Sequence, residues 1–155
     1  MIRKLVPPDQ QLYLELAHEF YNSDAVLHAV PDAQLLAGFQ AVTTENPYTE
    51  GFLISSDETP AGYAIVAQTY SIESGGMILW LEELFILPRF RGKGLGEEFI
   101  AFIEKKYGDA VRRFRLEVLP ENKGAIRLYE RLGYKQFNYF QMVKDMPHPS
   151  CKGKS

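Results

Sequence analysis

Cysteine is almost missing from this chain: of 155 residues only Cys151, close to the C-terminal end, is one. An internal disulfide and a cysteine-built zinc site are therefore excluded, and a reducing, cytoplasmic setting is expected. Histidine is nearly as scarce. His18, His28 and His148 have no metal-binding spacing, so no metal is expected. A strong charge excess is also lacking, since 17 Lys and Arg face 20 Asp and Glu for a net charge of -3. No global positive field draws such a chain to nucleic acid or anionic lipid, and neither partner is expected. Long hydrophobic runs are absent too. The longest, Met77 to Phe90, is broken by Glu82, Glu83 and Arg89, and Met1-Ile2-Arg3-Lys4 has no apolar signal core behind it. Gly-x-Ser-x-Gly does not occur, which removes the usual hydrolase nucleophile signature.

What remains has the composition of a globular domain, 46% hydrophobic and 13% aromatic, long enough to bury roughly 70% of its unfolded surface. One domain is expected over residues 1–146, and residues 147–155, which lack apolar side chains to pack, read as a flexible tail. A short strand near Ile2 to Val6 precedes Pro7-Pro8-Asp9. Tyr13, Leu16, Ala17 and Phe20 then recur at helical spacing, and Leu35, Leu36, Phe39 and Val42 mark a second helix that begins near Pro31-Asp32 and stops at Asn46-Pro47. Three strands follow, Gly51 to Ser55, Gly62 to Tyr70 and Met77 to Leu87, joined by polar and glycine turns. A helix from Leu95 ends at Gly108; Phe114, Leu116 and Val118 alternate with Arg113, Arg115 and Glu117 as a strand with two unlike faces. A fourth helix runs from Asn122 to Gly133, and Tyr134 to Val143 reads as a final strand or hairpin. This order predicts an α/β (α+β mixed) fold, a mixed sheet flanked by helices.

Arg91-Gly92-Lys93-Gly94-Leu95-Gly96 lies directly between a predicted strand and a predicted helix. Glycines let a ligand approach the backbone closely, and the first N–H groups of a helix have no intrahelical acceptors, so this junction is suited to phosphate. It is neither a dinucleotide fingerprint, because Glu97 stands where glycine is needed, nor a P-loop, because Gly94 follows Gly92-Lys93 in place of Ser or Thr. In the preceding strand Glu82 and Glu83 interrupt an apolar run, where unpaired carboxylates are costly to bury. At least one is expected to face a cleft. Adjacent strand residues point to opposite faces, so both reach one site only through a bulge. Tyr129 lies on the apolar stripe of its helix, a position that suits a core aromatic with a satisfied hydroxyl.

The stretch Leu84 to Gly96, with Arg91, Gly94 and Gly96 filling Arg/Gln-x-x-Gly-x-Gly/Ala, resembles the acetyl-CoA-binding motif of the GNAT superfamily of N-acetyltransferases. Asn122 to Tyr134 is similar to that family's N-x-x-A-x-x-x-Y-x-x-x-G-aromatic segment, and the two occur in the family's order. The resemblance implies a mostly antiparallel, splayed sheet with about four helices, and acetyl-CoA as co-substrate. Arg91, Gly92, Lys93, Gly94, Leu95, Gly96 and Glu97 would hold its pyrophosphate. Leu84, Phe85 and Ile86 would pair with the pantetheine arm, and Asn122 and Ala125 would touch the cofactor from the other side of the gap. Tyr129 would serve as general acid. Leu81 to Ile86 also resembles the Leu-Glu-Asp-Phe-Phe-Val stretch of spermidine/spermine-type acetyltransferases, which implies Glu82, with Glu83 second, as the carboxylate that binds or deprotonates the acceptor. Direct transfer to a small primary amine follows, polyamine-like or otherwise cationic. The acidic residues Glu15, Glu19, Asp24 and Asp32 point weakly the same way, and Glu117 is placed either at the acceptor site or in a pair with Arg113 or Arg115. The alternatives are a non-catalytic acetyl-CoA-binding module and a peptide or protein N-terminal acetyltransferase. A homodimer is compatible with an exposed last strand.

Overall fold

A computed structural model describes residues 1–146, so the expectation of a flexible tail over 147–155 lies outside the described residues. The chain runs β1 (Ile2–Lys4), α1 (Gln10–Tyr21), α2 (Asp32–Thr43), β2 (Thr49–Ser56), β3 (Thr59–Ser71), β4 (Gly76–Ile86), α3 (Leu95–Tyr107), β5 (Arg113–Leu116) and α4 (Lys123–Arg131). The strands form one sheet in sequence order, antiparallel from β1 to β4, with β5 parallel to β4 after the α3 crossover.

Both faces of this sheet are covered, which is why β2, β3 and β4 read as nearly unbroken apolar runs. On one face Tyr13, Leu16, Phe20, Leu35 and Phe39 of α1 and α2 pack on Leu53, Tyr63, Ile65 and Phe85. On the other, Leu95, Phe99, Ile100 and Ile103 of α3 pack on Phe52, Ile54, Ala64, Val66, Leu79 and Leu81. The apolar spacing that predicts α1 is the set it buries. Its entry is fixed by Asp9, whose carboxylate takes two bonds from Arg3 at 2.7 and 2.8 Å and one from the Val6 N–H at 2.9 Å. The Arg3 guanidinium lowers the Asp9 pKa against the opposing effect of burial.

The register of β3 against β4 steps from Ile65↔Glu83 to Val66↔Leu81, so Glu82 is an extra, unpaired residue. This β-bulge inverts the alternation of β4. Before it, Leu79 and Leu81 face α3; after it, Phe85 and Leu87 face α1 and α2, while Leu84 and Ile86 pack toward α3. β5 pairs with β4 only over Ile78–Leu81. Beyond Leu81 the two strands part, and the sheet opens into a splay.

The final strand predicted over Tyr134 to Val143 does not form. Alternation supplies the propensity, but a strand needs a hydrogen-bonding edge, and this segment is held by side chains instead. Phe137 lies under Arg113 and Arg115 with centroid distances of 5.0 and 4.8 Å, and the Tyr139 hydroxyl donates to Glu73 at 3.2 Å. Phe140, Met142 and Val143 are exposed. The outer edge of the sheet on this side is therefore β5, among the described residues.

Candidate active site

A cleft of 1380 Å³ opens at the splay between β4 and β5. Its walls come from the end of α1 (Phe20, Tyr21), the α1–α2 connection (Ala25 to His28, Val30), the bulge (Glu82, Glu83), β5 and the segment after it (Arg113 to Pro120), α4 (Ile126, Tyr129) and the C-terminal segment (Phe137, Tyr139).

The bulge delivers both carboxylates to this cleft in different states. Glu83 is held on both oxygens: the Tyr21 hydroxyl donates to one at 2.7 Å and the Tyr63 hydroxyl to the other at 2.5 Å. Burial raises the Glu83 pKa, and the two phenolic donors oppose that rise. Glu82 has no hydrogen-bond partner among the described residues and stays open to solvent on one side. Loss of hydration raises its pKa first, and the negative charges of Glu117 and Glu83 add to the effect. Trp80, Leu81, Glu82 and Glu117 line one small recess of 160 Å³. Glu117, beyond the end of β5, makes no ion pair with Arg113 or Arg115; Arg113 pairs with Glu73 at 3.5 Å. The acidic residues of the helical region do not reach the cleft. Glu15 accepts a bond from Gln11, and Asp32 pairs with His18 at 2.8 Å, so their contribution to acceptor binding is not supported by position.

Tyr129 projects from α4 into the cleft, its ring 5.8 Å from that of Tyr134. Burial alone pushes its pKa up to about 12. The phenol is thus a proton donor at neutral pH, and its hydroxyl has no protein partner among the described residues.

The glycine-rich junction follows β4, and none of Arg91 to Glu97 lines the cleft. Gly94 is the N-cap of α3 with φ 82°, and Gly92 has φ 74°, backbone conformations that side-chain-bearing residues rarely adopt. Open space lies where a Cβ would stand at either position. The first amides of α3, at Leu95, Gly96 and Glu97, have no intrahelical acceptors. Gly96 is also small for a packing reason, since a Cβ there would approach Leu128 Cδ2 to 3.2 Å. Glu97 turns toward α4 and pairs with Arg131 at 2.8 Å. Arg91 Nε donates to the Ile86 carbonyl at 2.9 Å and fastens the loop to the end of β4, and Lys93 lies over the Phe90 ring at 5.1 Å. Leu84, Phe85 and Ile86 pair with β3 on one side only, so the edge of β4 toward β5 is free over this stretch. Across the gap, Asn122 Oδ1 accepts from the Ala125 N–H at 3.2 Å and caps α4.

The sequence-predicted residues thus fall into two groups, a cleft with Glu82, Glu83 and Tyr129 and a helix-terminus loop from Arg91 to Glu97. Sequence reasoning missed Tyr21 and Tyr63 as the partners of Glu83. Their signal was a tyrosine in an apolar strand and another at a helix end, each needing a partner for a buried hydroxyl. It also missed the α1–α2 connection, whose Val26, Leu27 and Val30 carry no periodicity.

Comparison with known proteins bears on the fold and the family. The chain is 36% identical over 73 residues to the thialysine N-epsilon-acetyltransferase of Mus musculus, covering 46% of this chain and 42% of that one. It is 32% identical over 93 residues to the spermine/spermidine N(1)-acetyltransferase of Bacillus subtilis (strain 168), covering 59% of this chain and 57% of the relative. The chain thus spans about half the length of the curated relatives it matches. Among solved structures, an integron cassette protein from a salt-marsh metagenome superposes with a TM-score of 0.79 at 23% identity, covering 96% of this chain and 91% of the other. The aminoglycoside acetyltransferase AAC(6')-Iy, in complex with a bisubstrate analog, superposes at 0.76 and 19% identity, covering 95% and 98%. Both share the fold. A family description, the acetyltransferase (GNAT) family, matches residues 10–134, most of the chain and every element from α1 to α4, and the protein belongs to that family.

Proposed function

We propose that the protein transfers an acetyl group from acetyl-CoA directly to the primary amine of a small molecule, polyamine-like or otherwise cationic, within a ternary complex in the cytoplasm. The observation that carries this reading is the free edge of β4 over Leu84–Ile86, followed in the chain by a glycine-rich helix N-terminus. An unpaired strand edge is a site for an extended, amide-bearing ligand, and free amides at a helix start are a site for its phosphates. The open space at Gly92 and Gly94 fits that ligand. Acetyl-CoA supplies an activated acyl group as a thioester.

The chain's own residues then have separable roles. Backbone at Leu84 to Ile86 holds the pantetheine arm, with one amide directed at the thioester oxygen. Amides from Gly92 to Glu97 hold the pyrophosphate, with Lys93 adding charge and Arg91 bracing the loop. Asn122 and Ala125 close the far side of the gap. Glu82 receives the acceptor's ammonium and takes its proton, directly or through water, because only the neutral amine is a nucleophile. Its raised pKa brings it closer to the working pH of a general base. Tyr129 donates a proton to the departing thiolate. Glu83, already holding two phenols, contributes charge and position and not proton transfer. Similarity to a thialysine N-epsilon-acetyltransferase and to a spermine/spermidine N(1)-acetyltransferase supports a cationic amine acceptor.

CoA release from acetyl-CoA against a panel of polyamines, aminoglycosides, amino acids and peptides, with product mass confirmed, tests this directly. One acceptor with robust turnover is expected, with Glu82→Gln reducing kcat and removing the acidic limb of its pH profile. Acetyl-CoA binding without CoA release across the panel would overturn the reading and favour a non-catalytic acetyl-CoA-binding module.

A further inference from the structure

Tyr21 ends α1 where the chain leaves the helix to wall the cleft, and neither proton transfer nor cofactor binding accounts for it. Its hydroxyl donates to one oxygen of Glu83 at 2.7 Å, while the Tyr63 hydroxyl holds the other. Tyr63 is fixed in place. It is fully buried, and its ring meets those of Tyr13, Phe20 and Phe85 with centroid distances of 5.2, 6.2 and 6.3 Å. Glu83 therefore bridges the core to the end of α1. Its own need for partners does not explain Tyr21, because Glu83 is half-buried and solvent could serve the oxygen that Tyr21 takes.

What Tyr21 fastens is the connection to α2. Ala25, Val26, Leu27 and Val30 of this connection line the cleft. Among the described residues, no backbone N–H from Val26 to Val30 donates a hydrogen bond. Val26 and Val30 pack against the core under α1 and α2, but apolar contact has no direction, so the placing of this wall falls to its two ends. One end is Tyr21 on Glu83. At the other, His18 meets Asp32 at 2.8 Å, an exposed pair of small worth. Glu83 is bonded along the chain to Glu82, and the phenol therefore sets the apolar wall against the same bulge that carries the free carboxylate. We propose that Tyr21 is a positioning residue for acceptor binding, which through Glu83 holds the α1–α2 connection at a set separation from Glu82, so that an amine seated on Glu82 meets that wall. This rests on the acetyltransferase reading above and adds to it the bond that fixes the width of the acceptor site.

The test titrates spermidine, cadaverine and L-lysine as acceptors, and acetyl-CoA in turn, for the full chain, Tyr21→Phe and Tyr63→Phe, reading CoA release and the Tm of the same preparations. Phenylalanine keeps each ring and removes only the hydroxyl. Tyr21→Phe is expected to raise the KM of the acceptors that turn over by about tenfold, the scale of one hydrogen bond to a charged group, with kcat little changed and the KM for acetyl-CoA unmoved. Tyr63→Phe takes a bond from the same carboxylate inside the core, and is expected to lower Tm more and to raise acceptor KM less. Tyr21→Phe against wild type decides the matter even where Tyr63→Phe does not fold. A lowered Tm in Tyr21→Phe with every KM kept is the pattern of a bond that merely satisfies Glu83. That result, or an equal rise of acceptor KM in the two variants, overturns the assignment and leaves the acetyltransferase reading standing. CoA release with none of these amines, nor with the wider panel, overturns both.

Discussion

Glu82 and Glu83 are neighbours in sequence with opposite surroundings, and the difference sets what each does. Glu83 is half-buried and held on both oxygens by Tyr21 and Tyr63, whereas Glu82 is crowded by charge and has no hydrogen-bond partner among the described residues. Because burial holds the folded-state pKa of Glu83 above its unfolded value, its proton-linked contribution to stability is fully present below the unfolded value of about 4.3. It is lost as pH rises through the raised folded value. Glu83→Gln, which still accepts one phenol and donates to the other, removes that dependence. Thermal scans from acidic to neutral pH should show the wild-type Tm falling relative to the variant's; a constant difference would refute the buried-carboxylate account. For Tyr129→Phe, kcat should fall by about a hundredfold, within the usual range for losing a positioned acid, with acetyl-CoA affinity unchanged by calorimetry. Wild-type turnover in that variant would reject the acid role.

The elements owe their chemistry to where regularity fails. A regular β4 would place Glu82 and Glu83 on opposite faces; the bulge spends one residue to bring both to the cleft and to pass the strand from one core to the other. α3 begins on a left-handed glycine, and that geometry aims its first amides outward. Gly94→Val forces a β-branched side chain to φ 82°, at a cost of order 1–3 kcal/mol, and fills the space where phosphate would lie. Acetyl-CoA affinity should drop by about tenfold or more, measured on a variant whose circular dichroism shows it folded. Unchanged affinity in that folded variant would remove the loop from the binding site. Phe99, Ile100 and Ile103 anchor the helix on the sheet, so the strain is expected to be absorbed in the loop and not by moving α3.

Across the protein, the net charge of -3 is small, and the cleft is lined by both signs, with Glu82 and Glu117 sharing one recess. The proposed ammonium-bearing acceptor would be drawn to that recess by a field that salt screens over about 8 Å at physiological ionic strength. Acceptor KM should therefore rise severalfold as ionic strength rises from about 0.05 to 0.5 M, with kcat little changed. Insensitivity of the acceptor KM to salt would count against recognition by these carboxylates. No helix among the described residues is long and apolar enough to cross a membrane.

The helices and the three long strands were legible because their side chains obey a single period: Tyr13, Leu16, Ala17 and Phe20 bury one face of α1 whatever lies opposite. The glycine junction was equally legible, since positive φ and free amides are properties of a few adjacent residues. The Tyr134 to Val143 strand misled because pairing depends on an edge elsewhere in the chain, and Phe137 and Tyr139 found Arg113, Arg115 and Glu73 instead. Local order alone thus determined most of the elements, the glycine-rich start of α3 and the presence of two costly carboxylates in an apolar strand. Folding in three dimensions settled which of those carboxylates is free: Tyr21 lies 62 residues from Glu83 and Tyr63 lies 20, and no local pattern encodes which distant hydroxyl will satisfy a buried charge.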